Sequence, residues 1–289
     1  MSSTATAEPQ AVELAQGPIR YRDAGSGEPI VFVHGLLVDG RLWDGPAGRL
    51  SEGFRCLLPD WPMGSHKAGM NPDADLSPPG VARLIADFLA ALDLDGVTIV
   101  GNDSGGAISQ VLVTRHPERI ARLVLTNCDS FDNFPPFPFN AMPPIARLPG
   151  GMIALTLPFR LGPVRRATYG QLAKRRIAPE LIDDWLAPSL RDPDIRRDAR
   201  KFTAGMHKRH TLEAARRFGE LELSVLLAWA LEDSFFKLAD AERLQDAIPN
   251  AHLETIPDAK TFVPLDQPQR LAELIAAFVR EDSTPSQQA

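Results

Sequence analysis

Hydrophobic residues along this chain follow two alternating patterns, short continuous runs and runs with helical spacing. The continuous runs lie at residues 29–35, 54–60, 97–101, 122–127, 224–230 and 252–256. Several are apolar at consecutive positions, which is typical of strands buried on both faces of a parallel sheet. They predict an α/β fold class with a doubly wound, mostly parallel sheet.

Two other segments have the spacing of an amphipathic helix. Ser77 precedes two prolines, and apolar residues follow at positions 81, 84, 85, 88, 89 and 92. This spacing predicts one buried helix face with Ser77 as the N-cap. A second helix is predicted to begin near Asp266 and Pro268, with apolar residues at 271, 274, 275, 278 and 279.

The alternation stops in a proline-rich, helix-like stretch at residues 131–218. We predict that this stretch is an inserted helical cap, that residues 17–130 and 219–280 form the core, and that residues 1–16 and 281–289 are flexible ends. Lys and Arg outnumber Asp and Glu more than two to one between Arg147 and Arg217. We favour a solvated helix face over recognition of an anionic substrate as the reason.

Composition narrows the class of protein. The 289 residues are 44% hydrophobic and 24% charged, as in soluble globular proteins, and the net charge is −6. The sequence has no signal-peptide pattern and no run long enough for a membrane helix, and we expect its two cysteines to be reduced. We therefore expect a cytoplasmic monomer or homodimer with a small-molecule substrate as partner, binding no nucleic acid or membrane. Nothing in the sequence implies a metal, flavin, nicotinamide or nucleotide.

The segment VTIVGNDSGG, residues 97–106, leads from a buried strand into a glycine-rich stretch. A tight strand-to-helix turn that presents a nucleophile needs small residues two positions before and after its apex. Gly101 and Gly105 satisfy this rule for Asp103, whereas Asn102 breaks it for Ser104. We therefore predict Asp103 at the apex, in preference to a simple helix N-cap.

With His34-Gly35 after one strand and Asp233 after a late strand, this turn resembles the α/β-hydrolase superfamily from about residue 17 to 280. An aspartate at the apex is similar to the epoxide hydrolase and haloalkane dehalogenase branches. The resemblance implies the α/β-hydrolase fold and a carboxylate that attacks carbon to form an ester, which water then hydrolyses. It also implies an oxyanion hole made by the N–H groups of Leu36 and Ser104. The following helix is expected to keep Asp103 ionised.

The chain departs from this family where the family has its water-activating histidine. Thr261, in the segment DAKTFV, stands at that position, and threonine is no base at neutral pH. Of the six histidines, His66 lies on a loop expected to border the site, and it is a relocated base, a hydrogen-bond partner of the substrate, or simply solvated. Asp233 and Asp129 are the two candidates for the family's acid.

The markers of both branches are incomplete. Dehalogenases usually have tryptophan and asparagine where this chain has Ser104 and Leu36, and epoxide hydrolases usually have two cap tyrosines where this cap has only Tyr169. Phenylalanines at 131, 134, 137 and 139 are candidates for an apolar pocket lining. We expect substrate contacts from five residues: His34, Asp129, Trp43, Phe131 and Thr261.

Three functions stay open. The first is a hydrolase that acts on a small apolar substrate through Asp103. The second is a lyase, isomerase or cyclase that uses Asp103 as a general base beneath the oxyanion hole, which needs no histidine. The third is a binding protein without catalysis.

Overall fold

The computed structural model describes residues 8–283. These residues form one sheet of eight strands in the order β1-β2-β4-β3-β5-β6-β7-β8. The strands are β1 (Gln10–Leu14), β2 (Gly17–Ala24), β3 (Pro29–Val33), β4 (Arg55–Pro59), β5 (Val97–Asp103), β6 (Ile120–Cys128), β7 (Ser224–Ala230) and β8 (Ala251–Ile256). The β1–β2 and β2–β4 pairs are antiparallel, and the pairs from β4 to β8 are parallel.

The six strands predicted from the sequence are confirmed as β3 to β8, and the mostly parallel α/β class is confirmed with them. The sequence did not predict β1 and β2, because both strands are only partly buried and carry many polar residues, and β1 lies at the edge of the sheet. The prediction of a flexible end is wrong for residues 10–14, since they pair with β2 as β1. The predicted ends at 1–7 and 284–289 lie outside the described residues.

Helices cover both faces of the sheet. α2 (Pro78–Ala91), α3 (Ser104–Arg115) and α10 (Leu238–Ala247) share one hydrophobic core, and α1 (Asp44–Leu50), α11 (Val263–Asp266) and α12 (Pro268–Ser283) share the other. Strand β3 shows why two cores form: Val31 and Val33 face the first, and Ile30 and Phe32 face the second. No helix within residues 8–283 is long and apolar enough to cross a membrane.

The predicted α2 N-cap is present, since the Ser77 hydroxyl accepts a hydrogen bond from the N–H of Gly80 at 3.4 Å. This contact satisfies one of the four N–H groups that a helix start leaves without a partner. The helix that was expected to begin near Asp266 and Pro268 is present as α12, which begins at Pro268, and the short helix α11 ends just before it at Asp266.

Six α-helices lie between β6 and β7, in the segment of residues 129–223 that we call the insert. They are α4 (Met142–Arg147), α5 (Gly151–Thr156), α6 (Gly162–Leu172), α7 (Pro179–Arg191), α8 (Pro193–Gly205) and α9 (Arg209–Ala215). Tyr169 donates a hydrogen bond to the carbonyl of Leu37, and Trp185 donates one to Asp39. Both acceptors follow β3, so the insert lies over the carboxyl edge of the parallel strands.

Several cations of the insert are held by backbone carbonyls. Arg147 donates to the carbonyl of Ala204, and Arg200 donates to that of Ala146. Lys201 reaches out of the insert to the carbonyl of Pro72 at 2.6 Å. These contacts give part of the basic composition a structural role that does not require an anionic substrate.

Candidate active site

The turn between β5 and α3 places Asp103 in an unusual backbone conformation, with φ 55° and ψ −135°. A side chain on Gly105 would bring its Cβ to 2.3 Å from the carbonyl oxygen of Val33, and one on Gly101 would meet the Ser109 hydroxyl at 2.6 Å. The chain can therefore turn this sharply only because both flanking positions lack a side chain. A non-glycine residue at positive φ costs on the order of 1–3 kcal/mol, and such strain is found mostly at functional sites.

The Asp103 side chain opens into a cavity of about 90 Å³ between the sheet edge and the insert. Its wall is largely apolar and includes Leu36, Leu37, Pro135, Pro136, Phe139, Met142, Phe159, Leu172 and Met206. Polar atoms come from Asp103, Ser104, Asp129, Thr168 and Tyr169. The described residues of this wall include no Lys, Arg or His. An engineered apolar cavity of about 150 Å³ takes up benzene, so this one suits smaller molecules.

Burial raises the pKa of the Asp103 carboxyl to about 7. The charge of Asp233 acts in the same direction, whereas the backbone N–H of Ser104 stabilises the ionised form. The loss of water thus outweighs the favourable N–H group, and this opposes the expected effect of the α3 N-terminus in keeping Asp103 ionised.

Asp129 brings a second carboxyl to the same cavity. It is 1% exposed, and its Oδ1 has no hydrogen-bond partner among the described residues. Burial is the main cause that raises the pKa of Asp129 well above its usual range, and the charge of Asp103 comes next. The carboxyl of Asp129 therefore favours its protonated form more than an exposed aspartate does.

Asp233 and Thr261 lie together behind Asp103. The Asp233 carboxylate accepts hydrogen bonds from the N–H groups of Phe235 and Phe236, at 2.7 and 3.3 Å. Burial nevertheless raises the pKa of Asp233, although these N–H groups and the nearby Thr261 hydroxyl oppose the rise. The Thr261 hydroxyl has no partner of good hydrogen-bond geometry among residues 8–283. Thr261 therefore stands beside Asp233, and its hydroxyl cannot accept a proton from water at neutral pH.

The two N–H groups expected to form an oxyanion hole both lie beside Asp103. The N–H of Ser104 stabilises the Asp103 carboxylate, and the N–H of Leu36 donates to the Ser104 hydroxyl at 3.0 Å. Only 2.1 Å would separate a Cβ on Gly35 from Oδ2 of Asp103, so Asp103 packs directly against the loop after β3. The structure thus brings the two donors together, with the Leu36 donor already engaged by Ser104.

His34 and His66 lie outside the described cavity wall. His34 is fully buried; its Nε2 accepts from the N–H of Trp61, its Nδ1 lies 2.9 Å from the carbonyl of Gly35, and burial lowers its pKa to about 4. His66 is 3% exposed, and its Nε2 lies 3.4 Å from Asp198 in α8. Neither histidine meets Asp103 in this structure, so a role for either at the substrate stays a prediction.

Of the other predicted substrate contacts, Asp129 lies in the cavity wall, whereas Trp43, Phe131 and Thr261 are not among its described residues. Trp43 is buried against Phe32, with ring centroids 5.0 Å apart. Phe131 packs edge-on against Phe218, and the guanidinium of Arg243 covers its ring at 3.8 Å. Of the four phenylalanines considered for the pocket lining, Phe139 lies in the wall and Phe137 is 81% exposed.

Sequence reasoning missed most of the apolar wall, which comes from the insert. Pro135, Pro136, Met142 and Phe159 have no periodicity that distinguishes a cavity wall from ordinary packing. The only sequence signal was the run FDNFPPFPF, which pointed to the correct region.

Comparisons with known proteins agree with this architecture. A family model for the alpha/beta hydrolase fold matches residues 28–268. An uncharacterised protein of Mycobacterium tuberculosis is 27% identical over 274 residues, which are 90% of this chain and 77% of that protein. Haloalkane dehalogenase 2 of the same species is 28% identical over 287 residues, covering 91% of this chain and 92% of that enzyme.

A solved structure gives the same fold at lower identity. The haloalkane dehalogenase DatA of Agrobacterium tumefaciens C58 matches with a TM-score of 0.79 and 22% identity, over 96% of this chain and 97% of that one. The shared fold includes the mostly parallel sheet that positions the β5–α3 turn.

Proposed function

This chain belongs to the α/β-hydrolase fold family, and from that premise we propose that it is a hydrolase acting on a small apolar substrate through the carboxylate of Asp103. The observation that carries the proposal is the placement of Asp103 at a strained turn, facing an apolar cavity. The similarity to a haloalkane dehalogenase supports an attack on carbon. A haloalkane is also a small, apolar molecule, as the cavity requires.

The reaction has two stages. In the first, an oxygen of Asp103 forms a bond to an electrophilic carbon of the substrate, and the bond from that carbon to the leaving group breaks. In the second, water attacks the carbonyl carbon of the resulting ester, and the bond between that carbon and the ester oxygen, which came from Asp103, breaks. A proton of the water passes to this oxygen, and the product leaves as an alcohol. The N–H of Ser104 lies where it can stabilise the negative oxygen of this second stage. The N–H of Leu36 joins it once the Ser104 hydroxyl turns away.

Removal of the ester needs a base, and the family's histidine position holds Thr261. We infer that His66 does not supply this base, because its ring faces Asp198 and helps to hold the insert on the core. The base of the second stage must therefore come from another group of the site.

A second candidate is proton abstraction by Asp103 in a lyase or isomerase. The pKa of about 7 favours it, because a general base works best when its pKa lies near the working pH. In that reaction the Ser104 N–H would stabilise an enolate oxygen, and no ester would form.

Intact-protein mass spectrometry separates these functions. The protein is incubated with 1,2-epoxybutane, 1-bromobutane and an activated acetate ester, beside the Asp103→Asn variant and an Asp132→Asn control, which removes an exposed carboxylate. A covalent adduct or turnover that is lost only in Asp103→Asn supports the hydrolase. Absence of adduct and turnover with every compound contradicts it. Exchange of a substrate C–H with deuterium from solvent would instead support proton abstraction.

A further inference from the structure

The site holds two carboxyl groups from adjacent strands. In the register of β5 and β6, Asp103 lies opposite Cys128, so Asp129 follows directly at the end of the neighbouring strand. Adjacent strands are about 4.8 Å apart, which brings the two side chains to one end of the cavity. Asp129 is 1% exposed and its Oδ1 has no partner within the described chain, so this oxygen is available to a substrate.

The two carboxyl groups cannot both be ionised at low cost. Their cavity wall is apolar and, among the described residues, contains no cation. Two negative charges so close in such surroundings repel each other, and one proton stays on the pair. Each carboxylate is stabilised by one backbone N–H, that of Ser104 for Asp103 and its own for Asp129, and the charge of Asp233 acts on both. Asp129 also faces the charge of Asp240, and its Oδ1 has no partner within the described chain. The proton is therefore assigned to Asp129.

We propose that Asp129 is the proton donor of the first stage and the base of the second, for a substrate whose leaving atom is an oxygen, such as a small epoxide. This inference rests on the proposed function, in which Asp103 attacks carbon. It gives the site an acid that tyrosines would otherwise supply and a base in place of the absent histidine.

The proton balance closes over one turnover. Asp103 attacks a ring carbon, the carbon–oxygen bond breaks, and the ring oxygen takes the proton of Asp129; this leaves a hydroxyalkyl ester on Asp103 and a carboxylate on Asp129. Water then adds to the ester carbonyl as Asp129 takes one of its protons, and Asp129 passes that proton to the departing alkoxide. The diol leaves, Asp103 is a carboxylic acid, and its proton moves to Asp129. The net reaction is epoxide plus water to diol.

A halide is a poorer leaving group in this cavity. It needs no proton, but it does need hydrogen-bond donors around its negative charge, and both expected donors are engaged: Leu36 by the Ser104 hydroxyl and Ser104 by Asp103. A carboxylic acid on Asp129 can hand its proton to oxygen, whereas it can give a halide only one hydrogen bond.

The test compares two electrophiles of similar size, 1,2-epoxybutane and 1-bromobutane. Asp129→Asn keeps the shape of the side chain but cannot release a proton, so we expect adduct formation from the epoxide to slow by about 100-fold or more. Adduct formation from the bromide, which needs no proton, should change less than about threefold. The ester formed from the epoxide, whose opening leaves Asp129 as a carboxylate in the wild-type protein, should persist longer in Asp129→Asn. Asp132→Asn, three residues along the same loop, should behave as wild type in both assays.

The outcomes separate this inference from the proposed function. If the wild-type protein forms no Asp103 adduct and shows no turnover with either compound, the proposed function fails. If adducts form but Asp129→Asn slows both reactions equally, or neither, the role of Asp129 is refuted and the nucleophile stands. The wild-type protein offers a check that needs no variant. Epoxide opening should fall at high pH as Asp129 loses its proton, whereas reaction with the bromide should not; parallel pH profiles would refute the proposal.

Discussion

Replacing Asp103 with asparagine should stabilise the protein, and the gain should depend on pH. The folded chain holds the Asp103 pKa at about 7, against an ordinary value of 3.8. Because this pKa is raised, the unfolded chain releases the proton first, and stability declines as pH rises between about 4 and 7. Each tenfold change in the ionisation constant corresponds to about 1.4 kcal/mol, so the cost above pH 7 is about 4 kcal/mol.

The amide that Asp103→Asn introduces carries no charge, so the variant escapes this cost. Urea unfolding followed by tryptophan fluorescence should show the two proteins equally stable near pH 4 and the variant more stable by roughly 2–4 kcal/mol at pH 8. Part of the gain belongs to Asp129, whose pKa the Asp103 charge raises. Asp60, whose pKa burial raises to about 6, affects both proteins alike and cancels. A difference that does not change with pH, or a variant less stable at pH 8 than wild type, would refute the reasoning.

Three further outcomes are expected. Thr261→His places a base beside Asp233, so any ester on Asp103 should break down about 100-fold faster or more. Mass spectrometry measures this as the lifetime of the adduct, and an unchanged lifetime in a folded variant would count against the site geometry. Trp185→Phe removes the hydrogen bond to Asp39 and should lower the free energy of unfolding by about 1–3 kcal/mol in urea titrations. An unchanged free energy of unfolding would show that this contact does not stabilise the fold. Gly105→Ala puts a Cβ 2.3 Å from the Val33 carbonyl and should lower the melting temperature far more than Gly170→Ala, whose Cβ meets nothing within 4 Å; equal melting temperatures would contradict the close packing.

Much of the framework could be predicted because the relevant forces are local. The apolar positions of α2 recur at helical spacing and the chain begins that helix at Ser77, so burial and capping agree within one segment. The strands β5 to β7 are apolar on both faces, which is enough to place them inside a covered parallel sheet. Gly101 and Gly105 mark the sharp turn by their size alone.

The edge of the sheet could not be predicted in the same way. Strands β1 and β2 alternate imperfectly and expose polar residues, so their pairing is visible only once β4 provides a neighbour. His66 shows the same limit at the site: its loop position suggested the cavity, but its ring packs against Asp198 of α8, far along the chain.

The sequence by itself determined the strands β3 to β8, the helices α2 and α12, the inserted segment, and the presence of an aspartate at a turn that only glycine neighbours permit. These depend on residue size, periodicity and backbone freedom, which act over a few residues. The tertiary structure decided which carboxyl shares the cavity with Asp103 and that burial raises the pKa of both carboxyls. That outcome depends on the register between β5 and β6 and on the water removed by the insert, and neither is encoded in any short stretch of the chain.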